Sequence, residues 1–119
     1  MDTITRTEEM LLLAACRLGD DAYGADIRTE VEAVTGRRYS VGGVYVPLDR
    51  LVRKGLLETE EGAPTAKRRG RPRRRYRVTS AGFAALRAAR DLHEAMWARL
   101  PELAWKRLGL SLSGLGLSR

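Results

Sequence analysis

The chain has 119 residues, room for one ordinary domain with one core, and an unremarkable hydrophobic share of 44%. Its net charge is +7, yet the eight cations from Lys67 to Arg77 exceed that alone and leave the remainder at −1. This composition argues against a disordered, collagen-like or membrane-spanning chain, and it describes a near-neutral domain with one concentrated basic limb. The opening residues "MDTITRTEEM" are polar and acidic, unlike a signal peptide. The single cysteine, Cys16, has no internal partner and sits in an apolar helical run, where a buried packing thiol is expected. A cytoplasmic location follows from that cysteine usage.

In chain order, "TRTEEMLLLAACRLG" reads as a first helix, with Thr5 and Glu8 as a capping box and Gly19 ending it in the left-handed conformation. "DDAYGADIRTEVEAVTG" reads as a second. Asp20 or Asp21 caps it, Ile27, Val31 and Val34 form its apolar face, and Gly36 ends it. "SVGGVYVPLDRLVRKG" reads as a third, capped by Ser40 and terminated by Gly55, with apolar positions 41, 44, 45, 48, 51 and 52 at helical spacing. Pro47 inside it predicts a kink or a tight first turn.

"LLETEE" and "RYRVT" then read as the two strands of a hairpin. Tyr76 and Val78 face one way, while Arg75 and Arg77 face Glu58 or Glu60 across the ladder. The connection, residues 62–74, is long enough to be functional or disordered. A longer helix runs from about Ser80 to Leu100, and Pro101 interrupts it. Leu103, Trp105 and Leu108 continue a helical pattern beyond the proline.

The predicted class is mainly α with a small β-hairpin: a winged helix-turn-helix plus a C-terminal dimerisation helix. The expected division is a DNA-binding domain at 1–79, a dimerisation region at 80–108 and a flexible tail at 109–119. Phe83, Leu86, Leu92, Met96, Trp97 and Leu100 present more apolar surface than one small core covers, which predicts a homodimer. Trp97 and Trp105 are candidates for its interface. Leu92, Met96, Trp97 and Leu100 are the candidate dimer and effector residues. The bland alternative for them is dimer packing without a ligand.

Three segments carry a resemblance. Tyr-Gly opens "YGADI" at 23–27, and Ser-x-Gly-x-x-Tyr-x-x-Leu-x-x-Leu runs through 40–51. Gly-Leu follows at 55–56, and Tyr-x-x-Thr-x-x-Gly spans 76–82. Together they resemble the PadR family of bacterial transcriptional regulators over roughly residues 8–100, and that family also shows the interior proline. The resemblance implies a homodimeric winged-helix repressor, dimerised by its last helix and released by a small hydrophobic or phenolic effector. The short C-terminal part is similar to the compact branch of the family. The arginine content of the wing exceeds what the pattern requires.

On the third helix Gly42, Gly43, Val46, Asp49, Arg50 and Arg53 fall on or near the non-core face. The candidate recognition residues are Ser40, Gly42, Gly43, Tyr45, Val46, Arg50 and Arg53. Glycines admit close approach, Val46 suits a thymine methyl, Arg50 suits guanine or phosphate, and Ser40 suits a phosphate. Tyr45 and Val46 are otherwise core residues. The candidate wing residues are Lys67, Arg68, Arg69, Arg71, Arg73 and Arg74. "RRGRPR" at 68–73 contains the Arg-Gly-Arg-Pro core of an AT-hook, although Arg68 stands where a further proline often precedes it. Minor-groove insertion, looser phosphate contact and a solvated loop all remain open for it.

The expected partner is a pseudo-palindromic double-stranded operator. A dimer touching about eight to ten phosphates gives a log K against log salt slope of roughly −7 to −9. The expected setting is the bacterial cytoplasm, on the nucleoid when bound. Alternatives are a winged-helix module for RNA or a protein partner, or an architectural binder of A·T-rich DNA. No phosphate loop or nucleophile elbow suggests an enzyme, one Cys and one His cannot make a zinc site, and no cofactor is expected.

Overall fold

The computed structural model describes residues 3–61 and 73–110, which form two units divided between Leu86 and Arg87. Helix α1 spans Arg6–Leu18. Its start is a reciprocal cap: the Glu8 amide donates to Thr5 Oγ1 at 3.0 Å and the Thr5 amide donates to Glu8 Oε1 at 2.8 Å. Leu11, Leu12 and Ala15 are buried. Cys16 is exposed, contrary to the expectation of a buried thiol, because it shares the outward face with Leu13 and Arg17.

Gly19 has positive φ (58°) but ψ −122°, so the chain does not close in the left-handed helical basin. It enters a 3₁₀ turn, Gly19–Asp21, that absorbs both aspartates expected to cap the second helix. Helix α2 instead starts later, at Gly24–Thr35, behind Tyr23, whose side chain makes no capping bond. The reason is tertiary. Tyr23 runs extended beside the hairpin and bridges to Arg75, and Ala22, at φ −81° and ψ 64°, accepts the Tyr76 amide at its carbonyl oxygen at 2.8 Å. Those bonds hold the backbone out of helical geometry until Gly24. Gly36 (φ 71°) ends α2 in the left-handed region. Ile27 and Val31 are buried, whereas Val34, expected on the same face, is 76% exposed. It lies in the last turn of α2 and rims an open apolar groove of about 180 Å³ with Met10 and Leu13.

Helix α3, Val41–Arg53, runs unbroken through Pro47. Ser40 Oγ accepts the Gly43 amide at 2.9 Å. Val44, Leu48 and Leu51 are fully buried, while Val41, in the first helical position, is exposed rather than part of the apolar face. At the far end the Leu56 amide reaches back to Leu51 and the Gly55 amide to Val52, both at 3.0 Å, with Gly55 at φ 75°. This Schellman closure releases the chain directly into the hairpin.

Strands β1 (Leu57–Glu61) and β2 (Arg74–Val78) pair antiparallel, Glu58 opposite Arg77 and Glu60 opposite Arg75. The expected cross-strand ion pairs form at both positions. Leu57 and Tyr76 point inward and are buried. Thr79 joins the hairpin to helix α4, Ser80–Ala98: its hydroxyl donates to the Gly55 carbonyl at 2.7 Å and accepts the Gly82 amide at 3.0 Å. A Cβ on Gly82 would meet the Leu56 carbonyl oxygen at 2.3 Å, so only glycine allows this approach.

The second unit holds the rest of α4 and a short helix α5, Glu102–Arg107. Trp97 and Trp105 lie 5.6 Å apart between ring centroids at 42°. Trp105 is 4% exposed within its own chain, which removes it from the candidates for an exposed dimer surface. Leu92, Met96 and Trp97 are exposed, and Leu100 is half-buried. No helix among the described residues is long and apolar enough to cross a membrane.

Candidate nucleic-acid interface

The buried stripe of α3 fixes which side chains face out. With Val44, Leu48 and Leu51 in the core, Gly42, Gly43, Val46, Arg50 and Arg53 are exposed, along with Ser40 at the helix start. Val46 is 54% exposed, so the core alternative for it fails. Tyr45 is half-buried and packs against the core edge, with its ring over the start of α2. A Cβ on Gly24 would lie 2.6 Å from Tyr45 Cε1 and 2.6 Å from its hydroxyl oxygen. Tyr45 therefore joins α3 to α2 before it does anything else. It also lines an open groove of about 510 Å³ with Arg28, Thr29 and Val41.

The turn between α2 and α3 is pinned by Glu32, whose Oε2 accepts the Tyr39 amide at 2.8 Å and lies 3.6 Å from Arg28 Nε. This leaves Arg37 and Arg38 exposed, with Tyr39 between them and Ser40. They add two exposed cations close in sequence to the start of α3 and were not singled out from sequence. The signal was available: two adjacent arginines between a helix-ending glycine and a helix-capping serine.

The root of the wing is held down. The Arg73 guanidinium lies 3.6 Å from the Tyr23 ring centroid, and its Nη2 is 3.4 Å from Asp26 Oδ2. Arg74 Nη1 is 3.4 Å from Asp49 Oδ1. These two wing residues thus meet carboxylates of α2 and α3. The other wing candidates, Lys67, Arg68, Arg69 and Arg71, lie outside the described residues. Tyr76 anchors the same strand, its ring buried and its hydroxyl turned to the Arg74 guanidinium. Burial pushes its pKa up, and the neighbouring Arg74 guanidinium opposes that rise.

Beneath α3 lies a pair that sequence reading missed. Glu8 is fully buried, and Lys54 Nζ donates to its Oε2 at 2.9 Å and its Oε1 at 3.2 Å. Burial alone raises the pKa of this carboxyl, but the Thr5 amide, the Lys54 ammonium and the field of Arg50 together hold it below the ordinary value.

The family model described as the transcriptional regulator PadR-like family matches residues 12–88, from the middle of α1 into α4. The chain belongs to the PadR-like family of transcriptional regulators. Among solved structures, this PadR-like chain is similar to RosR in a complex, at 28% identity and TM-score 0.62, covering 82% of this chain and 79% of that one. H. salinarum RosR grown from NaBr is 25% identical with TM-score 0.61, covering 89% and 87%. A point mutant of S. aureus MepR bound to an oligodeoxyribonucleotide shares the fold at 16% identity and TM-score 0.52, covering 89% and 72%. No curated protein matches the chain. The PadR-like sequence marks now have local causes: Gly24 makes room for Tyr45, and Thr79 and Gly82 lock α4 onto the end of the third helix.

Proposed function

We propose that this PadR-like regulator binds a pseudo-palindromic double-stranded operator as a homodimer and represses transcription from it, releasing the site when a small aromatic or hydrophobic effector binds. The observation that carries this reading is the two-sided character of α3: its apolar stripe is sealed in the core, while Gly42, Gly43, Val46, Arg50 and Arg53 stand exposed with Arg37 and Arg38 close in sequence. Exposed glycines admit a groove wall, a valine suits a thymine methyl, and arginines suit guanine edges and phosphates.

In this reading residues 1–79 engage DNA, 80–108 build the dimer, and the arginine-rich wing adds phosphate or minor-groove contact. Residues 111–119 of the expected tail lie outside the described residues. The exposed Leu92, Met96 and Trp97 support a subunit interface, with Leu100 beside them, and Trp97 offers a flat ring for an effector. The site of action is the cytoplasmic nucleoid. In vitro selection from random duplex DNA at moderate salt tests the whole. Recovery of an inverted repeat with half-sites about 10 base pairs apart supports it. Recovery of A·T-rich DNA without symmetry supports an architectural binder instead, and no enrichment moves the weight to RNA or a protein partner.

A further inference from the structure

The basic limb is less basic than its sequence. Arg73, Arg74, Arg75 and Arg77 are the members of the run that the structure describes, and each is in an ion pair: with Asp26, Asp49, Glu60 and Glu58 respectively. Two of those carboxylates answer a cross-strand arginine within the hairpin. The other two do not belong to the hairpin at all. Asp49 is on α3, next to Arg50, and its side chain is 49% exposed; Asp26 is in the first turn of α2 and is 47% exposed. Carboxylates on this side of a DNA-binding helix repel phosphates, so their placement needs a reason.

We propose that Asp49 sets the protein's general affinity for DNA by neutralising Arg74, subtracting one phosphate-binding cation from its attraction to DNA of any sequence. The inference rests on the DNA-binding reading above. Attraction to random DNA comes almost entirely from cations that displace counterions, and each one neutralised by a phosphate contributes about 0.9 to the salt slope. Base readout by the outer face of α3 does not depend on Arg74. Pairing Arg74 with Asp49 therefore lowers affinity for operator and random DNA by similar factors, while the discrimination between them stays with base readout. Asp26 acts on Arg73 in the same sense, reinforced by the Tyr23 ring that holds Arg73 in place.

The test measures binding of the full chain to a fluorescent random-sequence 30-base-pair duplex over a range of salt, for Asp49→Asn, Arg74→Ala and the double variant. Asp49→Asn is expected to tighten random-duplex binding about threefold to tenfold and steepen the slope by about 0.9 per chain. Arg74→Ala leaves the slope unchanged while the unpaired Asp49 weakens binding, and the double variant loses the gain that Asp49→Asn alone brings. On the duplex enriched by selection, Asp49→Asn tightens binding by a similar factor. A slope that drops by about 0.9 per chain in Arg74→Ala, or random-duplex binding that is unaltered in Asp49→Asn, overturns the proposal. Failure of the unaltered chain to bind any duplex instead overturns the DNA-binding reading itself. Thermal melting of each variant confirms folding, and Arg74→Ala decides the matter even if Asp49→Asn does not fold.

Discussion

Lys54, at the end of α3, donates from Nζ to both carboxylate oxygens of Glu8 at the start of α1, at 2.9 and 3.2 Å, across 46 residues of chain. The carboxylate is fully buried and the lysine side chain is 35% exposed. Two jobs meet at one residue, since Glu8 also completes the α1 capping box. Glu8→Ala removes the side-chain half of the capping box, leaves the Thr5 hydroxyl on the residue 8 amide, and takes the carboxylate from the Lys54 ammonium. It should destabilise the fold by about 2–4 kcal/mol, the upper figures for broken buried pairs being reduced because Lys54 keeps contact with water. Urea denaturation of the two chains measures it, and a loss below about 1 kcal/mol would show that the pair is no better than a surface one.

Glu8 also sets a pH dependence. Its folded pKa lies below the ordinary value of 4.5, so the carboxylate's contribution is fully present above that value. It is lost as pH falls through the depressed folded pKa. Stability should therefore decline from about pH 5 downward. Glu8→Gln, which cannot titrate, should show a shallower decline over the same interval. Melting temperatures from pH 6 to 3 test this, and parallel curves for the two chains would mean that other carboxylates govern acid unfolding.

Two glycines make opposite demands on a new methyl group. At Gly82 the obstacle is the Leu56 carbonyl oxygen at 2.3 Å, part of a backbone fixed by the Schellman closure and by Thr79. At Gly24 the obstacle is the outer end of the Tyr45 ring at 2.6 Å, which can swing away. Gly82→Ala should cost about 3 kcal/mol and Gly24→Ala nearer 1 kcal/mol. Trimming the ring with Tyr45→Leu should relieve the second but not the first. Equal losses at both glycines would contradict the distinction between backbone and side-chain obstruction.

Local signals carried most of the fold. The Thr5 box, the Ser40 cap, Gly36, Gly55 and the alternation through Tyr76 each act within a few residues, so the sequence displays them directly. What escaped depends on contacts distant in sequence. The start of α2 moved because Ala22 bonds to Tyr76. Glu8 was legible as the acid of the Thr5 capping box, but its pairing with Lys54, 46 residues away, was not. Cys16 and Val34 fit an apolar helical pattern, but a helix packed on one side buries only the positions that its neighbours reach. The outward face of α3 was legible because amphipathic spacing alone separates Val44, Leu48 and Leu51 from Val46 and Arg50. The partners of Arg73 and Arg74 were not legible, since Asp26 and Asp49 lie 47 and 25 residues away.

Arg50 offers the cleanest separation of sequence readout from general attraction. It is exposed on the face of α3 that its buried stripe turns outward. An arginine that pairs bidentately with guanine contributes about 1–3 kcal/mol of discrimination. Arg50→Ala should therefore weaken binding to the selected duplex tenfold or more and leave random DNA within about twofold. Replacing Arg69 and Arg71 together should weaken both by similar factors and flatten the salt slope by about 2 per chain. Because Arg50 also contributes to the field that keeps Glu8 ionised, its removal should raise the Glu8 pKa slightly. Arg50→Lys retains that charge but not the planar fork, so it should restore acid stability without restoring discrimination. Equal weakening of selected and random duplexes by Arg50→Ala would instead place Arg50 on the phosphate backbone, leaving Val46 and the glycine face of the helix to read the bases.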